Sequence, residues 1–146
     1  MEPTDLSNAQ QLLFNPVWFA LAFPLFWCSI SYVISRMSGW GEMHARYGGP
    51  TATAPPGRSL RSGHIGIARY KGVLNIAHDQ VGLYLSVMVL FRVGHPPLFI
   101  PWSEVGNVTK KKVLWSDRVG FSVGHPVITT LDLPLAAVKG SVLDRA

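Results

Sequence analysis

Residues 16–34 read PVWFALAFPLFWCSISYVI, nineteen positions without a single charged side chain. At about 1.5 Å per residue, a helix of this length spans roughly 28 Å, close to the roughly 30 Å hydrocarbon core of a bilayer. The segment is apolar on all sides, whereas a helix on the surface of a soluble domain has one polar face. The sequence therefore predicts a transmembrane helix over residues 16–35, preceded by a short N-terminal tail at residues 1–15.

A buried helix of a soluble domain or a cleaved secretory signal would also be apolar. Signal peptides begin with a basic region and end at small residues. Here Glu2 and Asp5 precede the apolar run and no basic residue does, so we expect the helix to be retained. Aromatic and basic side chains near its C-terminal and N-terminal ends are the expected interfacial anchors: Trp18, Tyr32, Arg36, Trp40 and Tyr47.

Charge predicts the orientation of the helix. The tail carries two acidic side chains, whereas the chain from Arg36 onward carries 13 basic and 6 acidic ones, a net charge of +7. Lys and Arg near a membrane helix remain on the cytoplasmic side. We therefore expect a single-pass protein of the inner (plasma) membrane, with the tail outside and the C-terminal domain in the cytoplasm.

The basic balance raises the question of a nucleic-acid partner. No nucleic-acid-binding motif accompanies the charge, and a domain held beside anionic lipid has its own reason to be basic. We therefore expect a membrane partner and no nucleic acid.

Residues 36–61 form a basic juxtamembrane segment. A short helix over 38–47 is predicted by apolar and aromatic residues at the i, i+3, i+4, i+7 spacing of one face: Trp40, Met43, His44 and Tyr47. This helix either packs on the domain or lies in the membrane interface, and the sequence leaves both alternatives open. Residues 49–57, with three prolines, are expected to be a linker.

From residue 62 the pattern changes to short apolar runs separated by turn residues, which predicts six or seven strands. Two segments are assigned with turns: residues 65–69 before a turn at Lys71-Gly72, and a hairpin of 105–115 with 119–123 about Ser116-Asp117. The other extended segments are residues 73–76, a buried strand at 83–91, 98–102 and 127–131. Leu135, Val138 and Val142 have helical spacing, and we expect Gly140 to weaken this C-terminal helix without breaking it. The expected fold class is one transmembrane helix plus a mostly-β domain at 62–146.

Two runs in this domain, Gly82-Leu83-Tyr84-Leu85 and Leu98-Phe99-Ile100-Pro101-Trp102-Ser103-Glu104-Val105, resemble consecutive strands of pleckstrin-homology (PH) and GRAM-type domains. The resemblance covers residues 62–146, and the whole chain is similar to small bacterial membrane proteins in which a helix precedes such a domain. It implies a small PH-like barrel closed by a C-terminal helix. It also implies a phosphoinositide site around the first hairpin, where this chain has Arg69 and Lys71.

The strongest charge cluster is Lys110-Lys111-Lys112. In a strand, Lys110 and Lys112 share one face and Lys111 takes the other. The lysines either protect an edge strand from aggregation or contact anionic headgroups, with each charge contributing about 1 kcal/mol. Together with Arg69 and Lys71 they are the candidate lipid or partner contacts.

Residues with catalytic potential are few. The histidines, His44, His64, His78, His95 and His125, are scattered without a metal-ligand spacing. The sequence has no G-x-S-x-G elbow and no Gly-rich phosphate loop, and its single cysteine, Cys28, excludes an internal disulfide. We therefore predict no catalytic, cofactor-binding or metal-binding residues and no enzymatic activity.

The expected function is that of a binding module: a cytoplasmic PH-like domain, anchored by one helix, that binds another membrane protein, anionic lipid headgroups or both. One alternative is a structural accessory subunit of a larger membrane complex, with Trp27, Cys28 and Ser31 facing a neighbouring helix. A further alternative is a membrane-bound hydrolase or transferase that uses His95 or His125.

Overall fold

The computed structural model of the chain describes residues 3–48 and 57–146. Two compact units are present, residues 1–30 and residues 31–146. The second unit contains the last two turns of the apolar helix as well as the β domain. Residues 49–56 of the predicted linker lie outside the described residues.

The apolar stretch forms one continuous helix, α2 (Pro16–Ser38), and a helix not predicted from the sequence, α1 (Pro3–Leu13), precedes it. Asn15 caps α2, since its Oδ1 accepts the Val17 N–H at 3.0 Å, and Pro16 suits the first helical position. α2 is long and apolar enough to cross a membrane, with a mean hydropathy of 1.8 over its most apolar window. Only 6% of that window is buried, which distinguishes α2 from a core helix.

A short helix, α3 (Trp40–Tyr47), follows α2 after Gly39, whose φ of +80° is left-handed. Trp40 and Met43 are fully buried on its inner face. Of the two alternatives for this helix, the structure shows the one in which it packs on the domain.

Seven strands form one antiparallel, curled sheet in the order β4-β3-β2-β1-β7-β6-β5. The first meander comprises β1 (Arg58–Ile65), β2 (Ala68–His78), β3 (Gly82–Val87) and β4 (Leu98–Pro101). The second comprises β5 (Val105–Val113), β6 (Ser116–Val123) and β7 (Thr129–Pro134). β1 pairs with β7, which joins the two meanders.

The core lies on the inner face of this sheet, where apolar side chains alternate with outward polar ones, as a half-buried strand requires. In β7, for example, Leu131 and Leu133 are buried while Thr130 points outward and is exposed. The buried cluster also includes Trp40, Leu74, Ile76, Leu83, Leu85, Ile100, Phe121 and Leu143.

The first β turn differs from the prediction. Ile65 pairs with Ala68, so the chain turns at Gly66-Ile67, whereas the predicted turn at Lys71-Gly72 lies inside β2. Gly66 and Gly72 both have positive φ, +57° and +64°. At Gly72 this produces an irregularity within the strand, with the Ser62 hydroxyl accepting the Gly72 N–H at 2.8 Å.

Three other boundaries also differ. The predicted strand at 83–91 ends at Val87, and a 3₁₀ turn, Val89–Phe91, follows. The second hairpin turns at Leu114-Trp115, two residues before the predicted position. The predicted C-terminal helix is broken at Gly140, whose φ is +85°. A 3₁₀ turn (Leu135–Ala137) lies before Gly140, and a four-residue helix, α4 (Val142–Arg145), lies after it.

Candidate functional site

The C-terminal end of α2 is built into the β domain through a stripe of serines. Ser31, Ser35 and Ser38 are all buried, and their small side chains allow other backbone segments to approach the helix closely. The Ser35 hydroxyl donates to the Gly94 carbonyl, and Thr129 Oγ1 donates to the Ser38 carbonyl at 3.1 Å. Ser31, which the accessory-subunit alternative directs toward a neighbouring helix, is instead buried within its own chain.

A buried polar cluster, here called the helix joint, connects this stripe to the sheet. The Tyr70 hydroxyl lies 3.1 Å from Ser38 Oγ and 2.8 Å from His95 Nε2. His95 Nδ1 lies 3.2 Å from the Val93 carbonyl. Since a carbonyl only accepts, Nδ1 carries the proton, and Nε2 of the neutral ring faces the Tyr70 hydroxyl as an acceptor. Tyr70 has one hydroxyl proton, which is donated either to Ser38 Oγ or to Nε2.

Burial keeps both titratable groups of the helix joint neutral. His95 is 2% exposed and Tyr70 is 6% exposed. Burial lowers the pKa of His95, although hydrogen bonds to the Val93 and Phe91 backbone oppose the shift. Burial raises the pKa of Tyr70, although its hydrogen bond with Ser38 opposes this. The two residues are therefore an uncharged hydrogen-bonded pair in the interior, an arrangement that suits a structural connection.

The predicted interfacial anchors do not share one environment. Trp40 requires a correction: it is fully buried, and its indole N–H donates to the Pro96 carbonyl at 2.8 Å. Tyr47 is half-buried, and its hydroxyl donates to Glu104 Oε2 at 2.7 Å. Trp18, Tyr32 and Arg36 are exposed on α2, as contact with headgroups would require.

The outer face of the sheet carries a cross-strand row of polar residues. Successive register pairs, each between neighbouring strands, connect Arg69 of β2, His64 of β1, Asp132 of β7, Gly120 of β6 and Thr109 of β5. Four members of this row, all except Arg69, line an open groove of about 330 Å³.

Asp132 is the electrostatic centre of this outer face. Lys111 and Arg118 both form ion pairs with its carboxylate, and Arg118 Nη2 also donates to the Asp132 carbonyl at 3.0 Å. Burial acts to raise the pKa of Asp132, but the hydrogen bonds and charges of Lys111 and Arg118 together outweigh it, and the pKa is lowered. One carboxylate is thus shared by two cations, which leaves this part of the face weakly positive.

The five basic residues predicted as lipid or partner contacts are therefore divided. Lys110 and Lys112 lie opposite Val119 and Asp117 on one face of the β5–β6 hairpin, while Lys111 lies opposite Arg118 on the other. The Lys110 ammonium donates to the Asp144 carbonyl. Arg69 and Lys71 lie on β2, separate from the lysine run, and both are exposed. The structure thus does not gather the five into one anion-binding cluster.

The tip of the same hairpin carries a feature that was not singled out in the sequence. Leu114 is 83% exposed and Trp115 is 97% exposed. Exposed tryptophan is uncommon on a surface without a binding role, and tryptophan is enriched at interaction hot spots. Leu114 and Trp115 follow closely after the lysine run, and this proximity of Trp to Lys was the sequence feature that could have indicated an interaction site.

The histidines do not form a catalytic or metal-binding arrangement in the described residues. His95 belongs to the helix joint and His64 to the outer face, whereas His125 is exposed in the β6–β7 turn. Within residues 3–48 and 57–146, no three His, Cys, Asp or Glu side chains come together as a metal site requires.

Comparison of the chain with protein-family models, with curated proteins and with solved structures gives no match.

Proposed function

We propose that this chain is a single-pass membrane protein whose β domain is a binding module for another protein of the same membrane. The partner is met at the tip of the β5–β6 hairpin. The observation that carries this proposal is the exposure of Trp115, 97%, beside exposed Leu114 and Lys112.

Membrane anchoring is supported by the length, hydropathy and low burial of α2. The excess of basic residues after α2 supports a cytoplasmic position for the β domain. Sodium carbonate extraction tests the anchor: we expect the chain to stay in the membrane pellet, and release of folded chain into the supernatant would contradict anchoring. Protease protection of the β domain in sealed inner-membrane vesicles tests the orientation.

A PH- or GRAM-like domain is the finer interpretation of the β domain that we propose. Seven strands in two meanders, followed by a terminal helix, support it. The Ile-Pro-Trp run lies at the end of β4. Its Trp102 indole N–H donates to the Asp79 carbonyl at 2.9 Å, which connects the segment after β4 with the β2–β3 turn. The terminal helix is only four residues long, shorter than the closing helix that the resemblance implies.

The hairpin favours a protein partner over lipid headgroups. Lys111 is already paired with Asp132, so the lysine run offers less free charge than its sequence suggests. An indole and a leucine side chain bury apolar area against a complementary pocket, and a neighbouring ammonium selects an acidic rim. We therefore expect the partner to present an apolar pocket bordered by Asp or Glu.

Photo-crosslinking tests this proposal. A benzoylphenylalanine residue at Trp115 should produce a discrete protein adduct in native membranes, and the adduct should weaken with Lys112→Glu. The matched control is Val81, which is 64% exposed on the β2–β3 turn. Identical adducts from both positions, or a lipid adduct alone from Trp115, would contradict a specific protein contact at the hairpin.

A further inference from the structure

A short apolar segment, Met88–Gly94, lies against the C-terminal end of α2. A Cβ atom placed on Gly94 would lie 3.1 Å from Tyr32 Cα and 3.1 Å from Ser35 Cβ, so the backbone of the segment touches the helix. Tyr32 is six residues before the end of α2, about 9 Å along the helix axis. Gly94, the last residue of the segment, therefore lies beside the last turns of α2 and not beyond its end.

Three apolar side chains of this segment are exposed, whereas Phe91 packs against the core. Val89 is 73%, Leu90 is 66% and Val93 is 43% exposed. The buried strand predicted over residues 83–91 includes the first part of this segment, because a run of this composition usually packs into a core. Several exposed apolar side chains close together in the sequence of a folded domain indicate an interaction with a membrane or another protein.

Other apolar side chains are exposed around the same helix end. On α2, Val33 is 52% and Met37 is 59% exposed. On the β1–β2 turn, Ile67 is 75% exposed; its neighbour Gly66 is so close to α2 that an added Cβ would lie 2.7 Å from the Ser38 carbonyl oxygen. Apolar side chains are thus exposed on the outward side of the helix end and on two separate connections of the sheet.

The depth of this surface follows from the helix sequence. The uncharged run of α2 ends at Ser35, directly before Arg36, which places Tyr32 and Ser35 at the boundary between hydrocarbon and headgroups. Gly94 contacts α2 at these two residues, so Gly94 lies at the same level, and Val93 precedes it directly in the chain. Arg92, exposed within the segment, is long enough to reach a phosphate while its neighbours contact acyl chains.

We infer that the Met88–Val93 segment is a lipid-binding element that inserts Val89, Leu90 and Val93 into the interfacial layer of the membrane. This inference rests on the proposed anchoring by α2, because the segment has a defined depth only if α2 crosses the bilayer. It concerns a surface distinct from the hairpin tip and assigns lipid, not protein, as its occupant.

Depth-dependent fluorescence quenching tests the inference on the full chain. In a Cys28→Ser background, single cysteines replace Val89, Val93, Leu25 or Leu114 and carry an NBD fluorophore. The proteins are reconstituted in phosphatidylcholine–phosphatidylglycerol vesicles that contain nitroxide-labelled lipids. Leu25, 72% exposed in the middle of α2, is the membrane control, and Leu114, 83% exposed at the hairpin tip, is the aqueous control.

We expect labels at positions 89 and 93 to be quenched most strongly by shallow nitroxides, at a depth of about 5–10 Å below the headgroup–acyl boundary. The label at 25 should respond to deep nitroxides and the label at 114 to aqueous iodide alone. The inference is overturned if positions 89 and 93 behave like position 114 while position 25 is quenched. Loss of deep quenching at position 25 would instead overturn the anchoring itself, and the inference with it.

Discussion

Replacing Tyr70 with phenylalanine removes one oxygen atom from the centre of the helix joint. That oxygen lies 3.1 Å from Ser38 Oγ and 2.8 Å from His95 Nε2. The phenyl ring of the variant keeps the ring contacts with Trp40 and His95, whose centroids lie 6.0 Å and 5.5 Å from that of Tyr70. Tyr70→Phe is therefore a test of the hydrogen bonds alone.

The expected loss follows from burial. An intramolecular hydrogen bond contributes about 0.5–1.5 kcal/mol net, and a buried group left without a partner costs about 1–3 kcal/mol. His95 is 2% exposed, so its Nε2 atom gains no water in exchange. We expect Tyr70→Phe to lower the free energy of unfolding by about 1–3 kcal/mol, which is a decrease in Tm of about 4–12 °C for a unit of this size.

The assay is thermal unfolding of the full chain in mild detergent, followed by near-ultraviolet circular dichroism and tryptophan fluorescence. Tyr84→Phe is the matched control: it removes the same atom from a half-buried tyrosine whose hydroxyl donates to Asp79 Oδ2 at 2.9 Å. The other oxygen of Asp79 keeps backbone donors from Val81 and Gly82, so we expect Tyr84→Phe to destabilise the fold less than Tyr70→Phe. If Tyr70→Phe costs no more than Tyr84→Phe, the helix joint does not stabilise the fold as argued.

Three further outcomes follow from the geometry. Because burial lowers the pKa of His95, the unfolded chain binds a proton at this residue at higher pH than the folded chain does. The free energy of unfolding is therefore unaffected by His95 above its ordinary pKa of 6.5 and decreases as the pH falls below that value. Melts between about pH 8 and about pH 5 should show this decrease in the natural sequence and a smaller one in His95→Asn; equal slopes would refute it. Arg118→Met should destabilise more than Lys111→Met in the same melts, because the two share one carboxylate but Arg118 is 15% and Lys111 is 54% exposed; the reverse order would contradict the burial argument. Gly66→Ala should lower the free energy of unfolding by more than about 2 kcal/mol, because the added Cβ would lie 2.7 Å from the Ser38 carbonyl oxygen and the left-handed backbone would be strained. At Gly72 an added Cβ meets nothing within 4 Å, so Gly72→Ala should lower it by only about 1 kcal/mol. Equal losses would show that the close approach of Gly66 to α2 is unimportant for stability.

The apolar helix and the strand-rich domain could be predicted from the sequence because both depend on local patterns. Nineteen uncharged residues predict one helix whatever lies around them, and alternating apolar residues predict strands. The turn between β1 and β2 could not be placed in this way. Gly66 and Gly72 have the same conformational freedom and nearly the same φ, and what distinguishes them is the approach of Gly66 to Ser38, 28 positions earlier in the chain.

The candidate sites were less predictable for a related reason. Residues 88–91 were expected to be buried as the end of a strand over 83–91, because their composition is that of a core strand, and composition alone does not reveal what surrounds a side chain. The helix joint depends on Tyr70 and His95 meeting Ser38, residues from three distant segments. A partial signal existed in the i, i+4, i+7 spacing of Ser31, Ser35 and Ser38, which marks a helix face suited to close packing.

The serine stripe of α2 has a practical consequence for anyone who wishes to study the β domain in water. A fragment that starts after Ser38, where the hydrophobic run has ended, would remove the oxygen atoms that Tyr70 and Thr129 bond and uncover part of the interior. A soluble version must instead begin before Ser31 and carry polar replacements at Val33, Ile34 and Met37 on the outward side of the retained turns. The apolar helix α2 and the β domain thus overlap in sequence, and a truncation that treats them as consecutive parts would damage both.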